Sequence, residues 1–242
     1  MSASSKPALA AVVPMQTVQG SEGNLAVLRR QLLAIAHELH IKGWVANHDG
    51  NVTARIAGDR LLATPTALSK RVLVETDLIV LDGANQVLHG GRRPFSEIAL
   101  HRAVYAARPD VRAVVHTHSP NATALAVVGV AVDPTLIAEA VVSLGAEIAL
   151  LPYGFPQSAE QLAALRVAAH SLDAVTLANH GVLAWGDDLE QAYLRAELVE
   201  HLATIQLRAL QIGAVRTLPA NDIERLLAAR TKAGLGPLAR AK

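Results

Sequence analysis

The chain has 242 residues, of which 51% are hydrophobic but only 3% aromatic, and 22 basic side chains against 21 acidic ones leave a formal charge of +1. That length supports a substantial core built of Ala, Val, Leu and Ile, and the balanced charge, without a Lys/Arg run, argues against a nucleic-acid surface. Cysteine is absent, which excludes a disulfide framework and a thiolate metal site, so any metal must be held by histidine and carboxylate.

Residues 1–22 are rich in Ser, Ala, Pro and Gln and read as a flexible tail, leaving 23–242 as a single domain. The apolar stretch 8–13 is too short for a signal peptide. No segment approaches the roughly 20 apolar residues that span a bilayer, so a soluble cytoplasmic protein is expected. Leu25, Leu28, Leu32, Ile35, Ala36 and Leu39 recur at helical spacing, and Gly43 stops that helix. Residues 51–57 and 60–63 flank Gly58-Asp59 as one hairpin; residues 78–81 and 86–88 flank Asp82-Gly83 as a second. From Ser96 helices and strands alternate: a helix over 96–108, a strand over 111–118, a helix over 134–144, a strand over 147–151 and a helix over 158–170. Two strands at 174–178 and 182–185 precede a long helix over 188–211 and a last one over 221–232. Hairpins followed by alternation imply one mixed sheet covered by helices on both faces.

Chemistry concentrates at His116 and His118, two apart at the end of an apolar run. Alternate residues of a strand share a face, so both imidazoles point the same way. The pair alone reads equally well as two core histidines bonded to neighbours. Two further segments complete a coordination set: Ser96-Glu97, read as an N-cap followed by a first-turn carboxylate, and Asn179-His180-Gly181 at the end of another apolar run. Three imidazoles and a carboxylate suit Zn2+ or another divalent ion such as Mn2+ or Co2+. The segments Gly50-Asn51-Val52-Thr53 and Thr64-Pro65-Thr66-Ala67 offer donors at turns, for an anionic or polyhydroxylated ligand or for the turns themselves. His37, His40, His101, His170 and His201 fall on helices and read as surface or packing residues; His48 and His89 read as loop residues.

Gly50-Asn51-x-Thr53-x-Arg55, Thr64-Pro65-Thr66, Ser96-Glu97-x3-His101, Tyr105-x2-Arg108-Pro109-Asp110, Val114-Val115-His116-Thr117-His118-Ser119-Pro120, Pro152-Tyr153 and Asn179-His180-Gly181 occur in that order. Over residues 24–212 this combination resembles the class II aldolase/adducin family, which includes L-fuculose-phosphate aldolase and L-ribulose-phosphate 4-epimerase. The resemblance implies a three-layer α/β/α sandwich with a mixed, largely antiparallel central sheet, and a homotetramer with active sites between subunits. It implies a divalent metal held by His116, His118 and His180, with Glu97 as ligand or acid–base group, and Asn51, Thr66 and Ser96 around the substrate's phosphate or distal end. The expected activity is a metal-dependent lyase that makes or breaks a carbon–carbon bond in a small hydroxylated carbonyl compound through an enediolate. A decarboxylase, 4-epimerase or dehydratase on the same site, or a non-catalytic adducin-like scaffold, are the alternatives.

Three departures bear on the substrate. Phe95 and Ala67 stand where phosphate-binding members have serine and glycine, losing a hydroxyl and conformational freedom. None of Tyr105, Tyr153 and Tyr193 matches the family's proton-handling tyrosines.

Overall fold

The computed structural model describes residues 22–155 and 158–237; the tail expected at 1–22 lies outside these, except that Glu22 opens the first helix. Among the described residues, seven α-helices and eight strands are ordered α1 (Glu22–Ile41), β1 (Asn51–Arg55), β2 (Leu61–Ala63), β3 (Ile79–Leu81), β4 (Val87–His89), α2 (Ile98–Ala107), β5 (Ala113–Thr117), α3 (Pro120–Val127), α4 (Ala138–Leu144), β6 (Ala149–Leu151), α5 (Ala159–Ser171), β7 (Ala174–Leu177), β8 (Gly181–Gly186), α6 (Leu189–Ile212) and α7 (Ala220–Lys232). Among the described residues no helix is long and apolar enough to cross a membrane.

The strands form one sheet in the order β4-β3-β2-β1-β5-β8-β7-β6. Every described pairing is antiparallel except β6 with β7. β5 and β8 are central and buried throughout, which explains their unbroken apolar runs: a strand covered on both faces has no polar side to alternate with. One core layer joins α1, α3, α4 and α6 to the sheet through Leu32, Leu39, Leu125, Leu144, Val199 and Leu202. The opposite layer joins α2 and α5 through Leu100, Val104, Leu165 and Ala169, with Trp185 of β8 beneath them. The architecture is the expected α/β/α sandwich.

Three local readings need correction. α3 was not anticipated; Pro120 at its first turn supplies the fixed φ that starts a helix, and Glu200 of α6 accepts from the free N–H groups of Asn121 and Ala122. The single helix expected over 134–144 divides into a 3-10 turn, Pro134–Leu136, and α4. Ser96 is not the cap of α2. Glu97 holds that position without a side-chain capping bond, because its carboxylate is engaged across the sheet.

Asp173, fully buried before β7, accepts from Arg108 at the end of α2 (3.4 Å) and from Arg230 of α7, and forms an ion pair with Arg195 of α6 (2.9 Å). One carboxylate thus ties three helices to the sheet. Removing it would strand buried cations, which costs far more than an exposed ion pair.

Candidate metal centre

β5 carries His116 at its penultimate position, and the chain leaves the strand after Thr117 so that His118 continues the same face. β1 lies beside it with Asn51 opposite His116, and β8 on the other side pairs Leu183 with His116. His180 occupies the short β7–β8 connection, where Asn179 adopts φ +56° and Gly181 restarts the ladder opposite Leu177. Gly181 is required there: a Cβ would meet the Thr117 carbonyl oxygen at 2.2 Å and the His118 ring at 3.0 Å. The absent side chain is what lets the His180 turn press against β5.

The three imidazoles form a near-equilateral triangle. Ring centroids are 4.9 Å apart for His116–His118, 4.8 Å for His116–His180 and 5.0 Å for His118–His180, all tilted edge to face. Glu97 closes the group: His180 Nε2 donates to its Oε1 at 2.6 Å, Asn51 Nδ2 donates to its Oε2 at 2.8 Å, and His116 Nε2 lies 3.4 Å from Oε2. One ligand atom from each of Glu97, His116, His118 and His180 lies within 4.8 Å of the others. Ligand atoms around a tetrahedral zinc would be about 3.3 Å apart; the His116–His118 and His116–Glu97 pairs, at 3.1 and 3.4 Å, already match this, and the wider pairs, up to 4.8 Å, would close on a bound ion.

Tautomers are set from behind. His116 Nδ1–H donates to the Val182 carbonyl at 2.8 Å, which aims Nε2 into the group, where His118 Nε2 stands 3.1 Å away. Behind His118, the Asp49 carboxylate lies 3.5 Å from Nδ1. Backbone or carboxylate partners on the far nitrogen are the usual way of orienting imidazole ligands.

The electrostatics agree with a cation site. Burial alone would raise the Glu97 carboxyl, but the charge and hydrogen bonds of His116, with those of His180, outweigh it and hold Glu97 far below the ordinary carboxylate range. Burial, reinforced by His116 and His180, pushes His118 down to about 4, so at neutral pH it presents a lone pair. The buried His101 ring is pushed down to about 3, chiefly by burial; its Nδ1 is 2.7 Å from Thr53 Oγ1, which in turn meets the Tyr105 hydroxyl at 2.9 Å. His101 therefore packs under the site, as expected of a helical histidine.

The other expected residues are brought to one side. The Pro65–Pro94 bridge and the Thr66 N–H to Arg93 carbonyl bond (3.1 Å) place the Thr64–Ala67 turn beside the strap leading into Ser96 and Glu97. Asn51 touches Glu97 directly, and its Oδ1 is buried without a partner. Ser96 is exposed and Thr66 half-buried. Ala67 keeps the left-handed backbone, φ +56°, that a glycine would favour, so its turn survives the substitution. Phe95 is buried edge-on against His101 at 5.1 Å, a core contact. Tyr105 is buried and Tyr153 exposed, while Tyr193 packs near Trp44. His89 belongs to strand β4.

Two residues that sequence reasoning passed over belong to this neighbourhood: Asp49, and Lys70, whose side chain is buried and donates to the His48 carbonyl at 3.1 Å. A lysine that fails to reach solvent leaves no periodic signature in a loop. A cleft of about 880 Å3 between α3, α4 and α6, lined by Trp44, Asn121, Glu200 and His201, holds none of the four clustered residues. Convergent donors, rather than volume, mark the site.

Fold and centre together define an α/β/α enzyme of the class II aldolase type, with a His/Glu group that could hold a metal ion. Residues 30–207 match the family described as class II aldolase and adducin N-terminal domain, and the chain belongs to that family. It is 36% identical over 205 residues to the 5-methylthioribulose-1-phosphate/5-deoxyribulose-1-phosphate aldolase of Rhodospirillum rubrum, covering 85% of this chain and 91% of the relative. It is 33% identical to the methylthioribulose-1-phosphate dehydratase of Acidiphilium cryptum, covering 75% and 90% respectively. A sugar-phosphate aldolase from Thermotoga maritima superposes with a TM-score of 0.70 at 25% identity, over 81% of this chain and all of that one.

Proposed function

We propose that this chain is a divalent-metal-dependent lyase that cleaves or forms a carbon–carbon bond in a small hydroxylated carbonyl compound, a sugar phosphate or a related molecule. The observation that carries the reading is the convergence of His116, His118, His180 and Glu97 from three separate parts of the chain. The three imidazoles would hold the ion, with zinc the best match to the nitrogen-rich set. When bound, such an ion supplies the positive charge that polarises a substrate carbonyl and favours its enolate form.

The chain's own residues do the rest. Glu97, ionised and partly exposed, takes a proton from the substrate carbon or hydroxyl and returns it. Asn51 fixes the carboxylate by donating to Oε2, which keeps Oε2 beside His116 and Oε1 on His180. Thr66 and Ser96 hold the substrate's distal end. The same proton abstraction also begins a dehydration, and the Acidiphilium cryptum relative, named as a dehydratase, favours that as a second reading. A homotetramer with sites between subunits belongs to the proposal, checked by light scattering on the purified chain.

The test is product identification. Zinc-loaded protein is offered a panel of ketose phosphates and hydroxy-keto acids, and products are identified by mass spectrometry with and without chelator. Chelator-sensitive cleavage into two carbonyl fragments supports the lyase, and loss of water alone supports the dehydratase. Turnover unaffected by complete metal removal would refute both.

A further inference from the structure

β1 and α2 face each other through a ladder of polar side chains, of which the metal centre uses only the first rung. Asn51, Thr53 and Arg55 share one face of β1, while Val52 and Ala54 point into the α1 layer. Glu97, His101 and Tyr105 recur one turn apart from the cap of α2 onward. The two spacings match, since two strand residues advance about 6.6 Å and four helical residues about 6 Å. Asn51 Nδ2 donates to Glu97 Oε2 at 2.8 Å, Thr53 Oγ1 meets His101 Nδ1 at 2.7 Å and the Tyr105 hydroxyl at 2.9 Å, and Arg55 Nη2 donates to the Tyr105 carbonyl at 2.8 Å.

Two atoms on neighbouring rungs are left over. Asn51 Oδ1 and His101 Nε2 are buried and have no partner among the described residues, a costly state for any polar atom. Their chemistry is complementary. An ionised carboxylate only accepts, so Asn51 must turn its nitrogen to Glu97, and Oδ1 is left as an acceptor. His101, pushed down to about 3 chiefly by burial, is neutral at pH 7 and carries one ring proton. The phenol proton of Tyr105 faces two oxygens of Thr53, Oγ1 at 2.9 Å and the carbonyl at 3.2 Å. That leaves the Thr53 hydroxyl proton for His101 Nδ1, the shortest contact of the ladder. Rungs about 6 Å apart also match the reach of one water bonded to both atoms, about 5.6–6 Å.

We infer that His101 is a positioning residue: it carries its proton on Nε2 and, through one buried water shared with Asn51 Oδ1, holds the Asn51 amide against Glu97. Its catalytic consequence rests on the proposed activity, in which Glu97 moves the proton; the bonding itself does not. Histidine suits the position because it accepts on one ring nitrogen and donates from the other across a rigid spacing.

The experiment has two arms. In the first, NMR of the 15N-labelled, zinc-loaded full chain at pH 7 reads the His101 ring and the Asn51 side-chain amide. His101 should be protonated at Nε2, and the Asn51 amide should exchange slowly with solvent. Nδ1-protonated His101 in the wild type overturns the inference, and that measurement needs no variant to fold. The tautomer is read equally in the metal-free chain, so failure of the metal reading would be separate: the wild type would then not hold zinc. In the second arm, His101→Leu should lower kcat about 10- to 100-fold, the usual effect of losing such a supporting partner, and should speed exchange of the Asn51 amide at unchanged zinc content. His101→Gln, which keeps an N–H donor at similar reach, should recover most of both losses. In an Asn51→Ala background His101→Leu should add little, because the route to Glu97 is already cut. Fully additive losses, or an Asn51 amide indifferent to His101→Leu, would overturn the inference.

Discussion

Replacing Gly181 by alanine puts the geometry of the centre under direct strain. The new Cβ would fall 2.2 Å from the Thr117 carbonyl oxygen and 3.0 Å from the His118 ring. Real Cβ atoms essentially never come closer than 3.0 Å, so the His180 turn and the end of β5 must part by about 0.8 Å at least. The carbonyl is backbone and the ring belongs to the centre, so neither can swing aside freely. Overpacking of this kind costs about 1–3 kcal/mol of stability. The functional cost is larger, because metal ligation tolerates only about 0.2 Å in ligand distance and a displacement near 1 Å costs on the order of 100-fold in rate. Zinc titration of the variant, beside a thermal melt, should show affinity reduced at least tenfold in a folded protein. Gly213→Ala is the control: its Cβ would enter open space, and it should bind metal as wild type does. If Gly181→Ala binds zinc with undiminished affinity, the close approach of the two segments is not what assembles the centre.

Glu97→Gln should retain metal on the three imidazoles yet lose about 100- to 10,000-fold in turnover, as expected for a lost general acid–base group; wild-type turnover at full metal content would exclude that role. Ala67→Gly relieves a non-glycine residue at φ +56° and should stabilise the protein by about 1 kcal/mol, raising Tm by about 2–4 °C. A melt showing a lower Tm would contradict the strain argument. Asp173→Asn weakens the anchor of three buried arginines and should cost about 3–5 kcal/mol without changing zinc affinity of the folded fraction, as denaturant titration and metal binding can separately show. His101 titrates near 3 when folded and near 6.5 when unfolded, so between these values the unfolded chain binds more protons and stability falls as pH falls. His101→Gln should flatten that acid limb of the Tm profile; an unaltered slope would mean other groups carry it.

Periodicity made most of the frame legible, because β5 and β8 are uniformly apolar and α1 and α6 repeat Leu and Ala at helical spacing. Motif spacing brought out the four clustered residues, since a His-x-His strand fixes two of them on one face. α3 escaped notice because its helical face is small, Ala122, Leu125 and Ala126, and its start is satisfied by a glutamate 78 residues away. Ser96 looked like a cap because its type is right; the demand of His180 and Asn51 for the Glu97 carboxylate decided the local geometry instead. Lys70 and Asp49 were invisible for the same reason: their significance lies in which distant groups they face.

The most direct measurement is the X-ray absorption spectrum of zinc-loaded protein, with metal content determined alongside. About one zinc per chain is expected, with nitrogen and oxygen neighbours at about 2.0–2.1 Å and the outer-shell scattering of three imidazoles, which His116, His118 and His180 would supply. A chain that retains no stoichiometric metal, or one whose bound zinc shows no imidazole scattering, would contradict it.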